Sequence, residues 1–315
     1  MLDATRYRLL NDWQRGFPLA PRPFAVVAAS LGTGEDEVLA GYRALQAEGL
    51  VDRIGPVFRP NTIGASSLAA MRVPPARLDA VAALVGSHPG VNHNYEREHR
   101  YNLWFVATGA SRGEVERTLG AIERASGLAV LRLPLEEEYH IDLGFDLGDG
   151  SVPRTGAPAG IPPLGAADKP LAAALAAGLP LVPQPYARFG APEARVIGLL
   201  ARWLEEGIVR RIGAVVRHRP LGYAANAMAV WDVPDAQAAS CGRALACEPA
   251  VTLCYRRSRA LPDWPYNLYC MLHGRQRSQV LHELDRLRAA HRLERYPHAV
   301  LFSRRCFAQR AARYG

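Results

Sequence analysis

The stretch HPGVNHNYEREHRYNLW, residues 88–104, carries side chains that can move protons and bind anions. It has the pattern of a strand, a turn and a second strand, in which alternate residues share a face. Counting by twos places His93, Tyr95 and Arg97 on one face, where an ordinary core would hold Val or Ile. Imidazole titrates near neutral pH, and guanidinium binds carboxylates through paired hydrogen bonds. We therefore predict acid–base chemistry on an anionic ligand at this hairpin.

One unit occurs twice in the chain. EGLVDRIGPVFRPNTIG at 48–64 returns as EGIVRRIGAVVRHRPLG at 206–222, and YNLW at 101–104 returns as YNLY at 266–269. The spacing of apolar residues predicts an α+β fold, a tandem repeat of a winged helix-turn-helix plus a β-α-β-β-α-β, ferredoxin-like domain. The predicted segments are a winged helix-turn-helix at 1–62, a ferredoxin-like domain at 63–147, a linker at 148–168, a degenerate winged helix-turn-helix at 169–222 and a second ferredoxin-like domain at 223–315.

The first copy also allows local predictions. Helical spacing predicts helices at 3–17, 23–32 and 35–49, with Thr33 as the cap of the third. VDRIGPVFRP at 51–60 reads as two short strands of a wing. In the second copy the middle helix and turn are shorter by about one helical turn. Each ferredoxin-like sheet should have helices on one face and leave the other face free for a partner.

The charge distribution bears on the partner. Residues 1–168 hold 16 arginines and 20 acidic residues, a balance of −4, whereas 169–315 hold 22 basic and 10 acidic residues, a balance of +12. This basicity allows nucleic acid or a polyanionic small molecule as the partner. The predicted recognition helix begins with Glu35, Asp36 and Glu37, which would repel a phosphate backbone, so we expect no sequence-specific DNA binding. The chain start and its short apolar runs predict a cytoplasmic protein with no membrane segment.

Two pairs of motifs carry a family resemblance. The winged-helix and α/β order resembles Lrp/AsnC regulators. More specifically, HNYEREHRYNLWF at 93–105 and LPLEEEYHIDLGFDL at 133–147 resemble the D-type chain of siroheme decarboxylases, and RRIGAVVRHR at 210–219 and LFSRRCFAQRAARYG at 301–315 resemble the L-type chain. The whole resembles the fused D–L members of that family. The resemblance implies removal of carbon dioxide from two acetate groups of siroheme in heme d1 biosynthesis, with no cofactor beyond the iron of the substrate.

The residue types fit such a substrate. A flat macrocycle fringed by carboxylates needs aromatic walls and several arginines, and decarboxylation needs a proton for each new methyl group. We predict His93 and His99 as proton donors, with Tyr95 and Arg97 in the same catalytic group, and no metal-ligating residue. The predicted substrate-binding residues are Arg100, Asn102, Trp104, Tyr255, Arg256, Arg257, Arg259, Tyr266 and Asn267.

The two copies differ at the hairpin. HPGVNHNYER aligns with EPAVTLCYRR, which places Tyr95 on Tyr255 and Arg97 on Arg257. His93 falls on a leucine. We therefore expect the first copy to provide most of the proton chemistry and the second copy much of the carboxylate binding. The halves should pair within the chain, and further homo-oligomerisation stays open.

Other interpretations stay open at this stage. Asn102 and Asn267 fit a structural role as well as a binding role. His140 follows an acidic run and is expected at a solvated strand end, and Arg304 and Arg305 are candidates to reach the ligand. A transcriptional regulator of Lrp/AsnC type, or a non-catalytic heme or siroheme sensor, remains the alternative function. The remaining histidines are expected on the surface or as capping residues: His218, His273, His282, His291 and His298.

Overall fold

The structure, a computed structural model, describes residues 3–141, 144, 146–148, 161 and 163–314. The helices are α1 (Ala4–Asn11), α2 (Pro23–Leu31), α3 (Glu35–Ala47), α4 (Leu78–Ser87), α5 (Arg112–Ser126), α6 (Lys169–Ala176), α7 (Glu193–Glu205), α8 (Asp235–Ala246) and α9 (Arg277–Ala290). The strands are β1 (Val51–Phe58), β2 (Ala65–Met71), β3 (Val91–Arg97), β4 (Leu103–Gly109), β5 (Val130–Ile141), β6 (Val209–Val216), β7 (Ala225–Trp231), β8 (Val251–Arg257), β9 (Leu268–Gly274) and β10 (His298–Gln309).

The described residues form two compact units. One unit contains both winged-helix regions, and the other contains both sheet domains. Most of the predicted linker, together with residues 142, 143 and 145 of the first predicted sheet domain, lies outside the described residues.

In the winged-helix unit, the first copy contains the three predicted helices. Helix α2 ends at Gly32, whose φ of 68° is in the left-handed region that glycine adopts without strain. The cap of α3 is Gly34, so the prediction of Thr33 was wrong. In the second copy, the middle helix is reduced to a single 3-10 turn at Tyr186–Arg188, which explains the missing residues in the alignment.

The predicted wing hairpin was also wrong. Strand β1 is one continuous strand, and it pairs antiparallel with β6 of the other copy, with Gly55 opposite Gly213. An unpaired strand edge is a liability, and here the equivalent strand of the repeat covers it. The two copies are therefore joined through this two-stranded sheet.

The sheet unit confirms the ferredoxin-like order in both copies, β2-α4-β3-β4-α5-β5 and β7-α8-β8-β9-α9-β10. The eight strands close into one barrel in the order β10-β3-β4-β2-β5-β8-β9-β7. Two antiparallel seams, β3–β10 and β5–β8, join the copies. The sheet face expected to meet a partner therefore meets the other half of the same chain.

Three apolar clusters follow from this closure. Two of them lie between the strands and the two helices of one copy each, and Tyr139 of β5 in the first copy joins the cluster of the second copy. The third cluster lies on the opposite strand faces, inside the barrel, and combines residues of both copies. Strand β9 illustrates the alternation, because Leu268 and Cys270 belong to the helix-covered cluster while Tyr269 and Met271 belong to the interior. Where the chain is described, no helix is both long and apolar enough to cross a membrane.

Candidate functional site

The row predicted from the sequence lies on β3. Asn94 donates its side-chain amide to the carbonyl of Ala82 in α4, so the alternate residues His93, Tyr95 and Arg97 face away from that helix. The rings of His93 and Tyr95 stack at 6.3 Å with 17° between their planes. The Arg97 guanidinium carbon lies 5.9 Å from the centre of the Tyr95 ring.

Strand β8 repeats the arrangement in the second copy. The Arg257 guanidinium lies 4.6 Å over the Tyr255 ring, which in turn stacks on Tyr269 at 5.5 Å. Leu253 occupies the position of His93. The structure therefore agrees with the sequence alignment of the two hairpins.

Each of these two arginines reaches across a seam to the other copy. Arg97 donates a hydrogen bond of 3.1 Å to the carbonyl of Leu301, and Arg257 donates one of 2.8 Å to the carbonyl of Leu133. Neither guanidinium forms an ion pair with an acidic side chain of the described residues. Arg97 is 8% exposed, and burial lowers the pKa of its guanidinium.

A buried charge without a counter-ion has an unfavourable desolvation free energy, and a bound anion offsets it. Other arginines of the same unit already have carboxylate partners, as Arg132 has Glu123 at 2.6 Å. The pair formed by Arg97 and Arg257 is thus suited to an anionic ligand that enters the barrel.

Aromatic side chains from both copies surround this region. Trp104 and Trp264 meet edge to face at 5.0 Å, and both are buried. The indole N–H of Trp104 donates to the carbonyl of Tyr101, and that of Trp264 donates to the hydroxyl of Tyr269. Tyr266 packs against Trp264 at 4.9 Å and keeps part of its surface exposed. These rings can contact the faces and edges of a large flat ligand.

His99 lies beyond the end of β3, against the second copy. Its ring contacts Trp264 edge to face at 5.3 Å, and its Nδ1 accepts a hydrogen bond from the Tyr101 amide. Burial and the nearby Arg100 charge lower the pKa of His99. Arg100 itself is exposed and donates to the carbonyl of Asp263 at 2.7 Å. An extended strand rises about 3.3 Å per residue, so His93 and Arg97 are separated by roughly 13 Å along β3.

Two predicted arginines are placed elsewhere. Arg256 is on the helix-covered side of β8 and pairs with Glu136 at 2.8 Å. Arg259 pairs with Asp232 at 2.8 Å and Asp235 at 2.7 Å. Because these carboxylates already neutralise them, the proposed binding mode uses neither Arg256 nor Arg259, and their role in substrate binding stays a prediction.

The two asparagines of the repeated YNL motif have structural contacts. Asn102 accepts from the Val73 amide and donates to the Val73 carbonyl, both at 2.9 Å. Asn267 forms the same pair of bonds with Val233. In each case both amide atoms fix the chain just after the first strand of the domain. These contacts fit the structural role, so the proposed binding mode uses neither Asn102 nor Asn267, and their binding role stays a prediction.

Two histidines lie in places that the sequence did not predict. His140, expected at a solvated strand end, is 6% exposed in β5. His273, expected at the surface, is hydrogen-bonded between Asn226 and Thr252 on the interior side of β9. Its alternation with Tyr269 and Met271 along a strand was the signal that could have placed it inward. Arg304 and Arg305 pair with Glu98 and Glu96 on exposed surface.

The described residues contain no group of three or more His, Cys, Asp or Glu side chains arranged to hold a metal ion. The candidate site comprises His93, His99, Arg97 and Arg257, each in contact with a tyrosine or tryptophan ring.

The chain is similar to known proteins over nearly all its length. It is 48% identical to the protein called siroheme decarboxylase NirDL subunit of Paracoccus denitrificans, over 99% of this chain and 97% of that protein. It is also similar to a crystal structure of the siroheme decarboxylase NirDL, with 27% identity, 98% and 94% coverage and a TM-score of 0.68. A second structure of NirDL, in complex with an iron-uroporphyrin III analogue, matches with 28% identity, 98% and 93% coverage and a TM-score of 0.66.

Two family models match the chain. The AsnC-like ligand binding domain matches residues 63–140 and 220–308, which are the two sheet domains of the barrel. The siroheme decarboxylase NirDL-like HTH domain matches residues 7–51, which cover most of α1 and all of α2 and α3. With this identity over the full length and with both domain types in place, the chain belongs to the siroheme decarboxylase family.

Proposed function

We propose that this chain is a carboxy-lyase that removes carbon dioxide from two acetate groups of siroheme. The observation that carries the proposal is the pair of arginines, Arg97 and Arg257, which cross the two seams of the barrel without acidic partners among the described residues. Siroheme can supply the carboxylate partners of these two arginines, because its rim carries many carboxylates. The names of the full-length relatives and the tetrapyrrole analogue bound to one of them support the same substrate class.

The proposed binding mode uses both copies. Arg97 and Arg257 hold carboxylates, and each charge-assisted hydrogen bond contributes about 1.5 to 3 kcal/mol. Tyr95, Tyr255 and Tyr266 contact the macrocycle. Trp104 is buried behind them and supports the wall. Arg100, at the exposed end of the His99 loop, is available to a carboxylate at the rim.

In each decarboxylation, the bond between the methylene carbon and the carboxylate carbon breaks and carbon dioxide leaves. The electron pair stays on the methylene carbon, where the conjugated ring delocalises it, and a proton completes the methyl group. His93 and His99 are the proposed proton donors. His93 is stacked on Tyr95 within the row that ends in Arg97, so an imidazole and a carboxylate-binding group share one face. A positioned general acid contributes about 10² to 10⁴ in rate.

Anaerobic incubation of the purified chain with siroheme, followed by mass analysis, tests the proposal. The expected product is lighter than siroheme by two carbon dioxide units. Siroheme that binds and stays intact would contradict the proposal and favour a sensor. Salt-sensitive, sequence-selective binding to duplex DNA would instead favour a regulator. The lack of such DNA binding, the cytoplasmic location and the independence from any added cofactor stay predictions.

A further inference from the structure

A chain of polar side chains runs across four strands on the interior side of the second copy. The Ser303 hydroxyl of β10 donates to the side-chain Oδ1 of Asn226 at 3.3 Å, and the side-chain Nδ2 of Asn226 lies 2.7 Å from Nε2 of His273. Nδ1 of His273 lies 2.9 Å from the Thr252 hydroxyl, which donates to the Met271 carbonyl at 3.1 Å. The chain thereby connects β10, β7, β9 and β8.

The contacts of the imidazole are those of a neutral ring. With the Thr252 hydroxyl donating to a backbone carbonyl, its oxygen is an acceptor for Nδ1–H of His273, and Nε2 is then an acceptor for the Asn226 amide. Burial and the Arg97 charge also favour the neutral form, because they lower the pKa of His273 to about 4. Both ring nitrogens are engaged, so His273 is suited to hold its neighbours in place and not to release a proton.

This chain surrounds the anchors of Arg97. Ser303 is the partner of Arg97 in the β10–β3 register. The carbonyl that accepts from Arg97 belongs to Leu301, two residues earlier on β10. Met271, whose sulfur lies 4.0 Å from the Arg97 guanidinium, is two residues before His273 on β9. Strands β9 and β10, which contact the Arg97 guanidinium, are therefore among the strands that the polar side chains connect.

The equivalent positions around the other arginine, Arg257, carry different side chains. The strand registers are equivalent in the two copies, and around Arg257 the positions of Ser303 and His273 are taken by Leu135 and Thr108. Leu135 has no polar side-chain atom, and Thr108 donates its hydroxyl to the Gly90 carbonyl. The two arginines of the repeat thus occupy unlike surroundings.

We propose that His273 is a positioning residue for a carboxylate subsite at Arg97, and that this subsite differs from the one at Arg257. The ligand class is a ring carboxylate of a tetrapyrrole, so the proposal rests on the proposed function for the identity of the substrate. A neutral imidazole adds no second positive charge, and through Asn226 and Ser303 it fixes the strand that faces Arg97.

The test is a double-mutant cycle measured by anaerobic optical titration with siroheme. His273→Leu is expected to weaken siroheme binding about tenfold, a typical cost of one displaced hydrogen-bonding group. In the Arg97→Leu background the same change should have no further effect, because the residue through which it acts is gone. In the Arg257→Leu background it should again cost about tenfold. His273→Gln, which can still bond to Asn226 or Thr252, should recover most of the affinity.

Several outcomes would overturn the proposal. They are unchanged binding in His273→Leu, additive losses with Arg97→Leu, or a His273→Gln variant that binds normally but fails to decarboxylate, which would make His273 a proton donor. Ser303→Ala removes the other end of the chain and should weaken binding about threefold, so it provides the same cycle if His273→Leu does not fold. The cycle depends on binding alone. A wild-type chain that binds siroheme without turnover would therefore refute the decarboxylase function and leave the cycle to decide this proposal.

Discussion

At the scale of single residues, the interior arginines Arg97 and Arg257 should affect both siroheme binding and the stability of the ligand-free protein. Arg97→Leu and Arg257→Leu should each weaken siroheme binding by about tenfold to a hundredfold. The ligand-free Arg97→Leu variant should melt no lower than the wild type, because an uncompensated buried charge has been removed. Optical titration and thermal unfolding measure the two effects.

Arg256→Leu is the matched control on the same strand. It breaks ion pairs with Glu136 and Asp235 outside the interior, so it should leave siroheme affinity unchanged. Equal losses of affinity in Arg256→Leu and Arg257→Leu would show that the two faces of β8 are not distinct in function.

The histidines of the first copy should separate binding from chemistry. His93→Ala and His99→Ala should keep siroheme binding largely intact and stop at least one of the two decarboxylations, with a rate loss of about 10² to 10⁴ for that step. Mass analysis of the products after a fixed time measures this. His282→Ala, on the exposed face of α9, is the control and should yield the fully decarboxylated product. Complete two-step turnover in both variants would refute the assignment.

The pH dependence follows from the surroundings of His99. Burial and, secondly, the Arg100 charge lower the pKa of this imidazole, so its acid form is lost as the pH rises through a value below 6.5. Arg100→Gln removes the second cause and raises the pKa. If His99 is the proton donor, the alkaline limb of the profile of kcat against pH should move to higher pH in this variant. Arg117→Gln, on the exposed surface of α5, should leave the profile in place, and a shift to lower pH in Arg100→Gln would contradict the prediction.

At the scale of the elements, α8 contacts β5 of the other copy with little room to spare. A Cβ on Gly242 would lie 2.0 Å from the ring of Tyr139. Gly242→Ala should therefore destabilise the protein by about 1 to 3 kcal/mol, although alanine alone would favour the helix by about 1 kcal/mol. Gly198→Ala in α7 is the control, because no atom lies within 4 Å of the added methyl group, and it should stabilise by about 0.5 to 1 kcal/mol. Thermal unfolding of both variants gives the sign of the change in stability. A stabilised Gly242→Ala variant would contradict the close contact between Gly242 and Tyr139.

The elements were largely predictable from local patterns, and their pairing was not. Helix and strand order in both copies follows from apolar spacing and from the internal repeat. The loss of the wing hairpin and the closure of the barrel depend on pairing between distant strands, for which a single copy has no local pattern. His93, Tyr95 and Arg97 could be placed because a strand alternates. The same alternation indicates the inward face of His273, but its partners Asn226 and Thr252 could not be predicted, because they are 47 and 21 residues away in the chain.

At the scale of the whole molecule, the sheet unit needs both halves of the chain. Each copy alone would expose the two strand edges that now form the β3–β10 and β5–β8 seams. The candidate site needs both halves as well, since Arg97 is anchored on Leu301 and Arg257 on Leu133. The repeat is therefore a fused pair whose two members complete each other, and the covalent link between them is not what assembles the site.

Cutting the chain between the two copies should leave the halves together. A protease site introduced within residues 149–160 should allow cleavage into two halves that still co-elute in gel filtration and still bind siroheme with the affinity of the intact chain. The chain without the introduced site, treated with the same protease, is the control. Halves that separate without denaturant would contradict the prediction, because the two antiparallel seams and the two arginine anchors should keep them together. Denatured and separated halves should each fail to bind siroheme, and mixing them during refolding should restore binding, since only the pair brings Arg97 and Arg257 to their anchors.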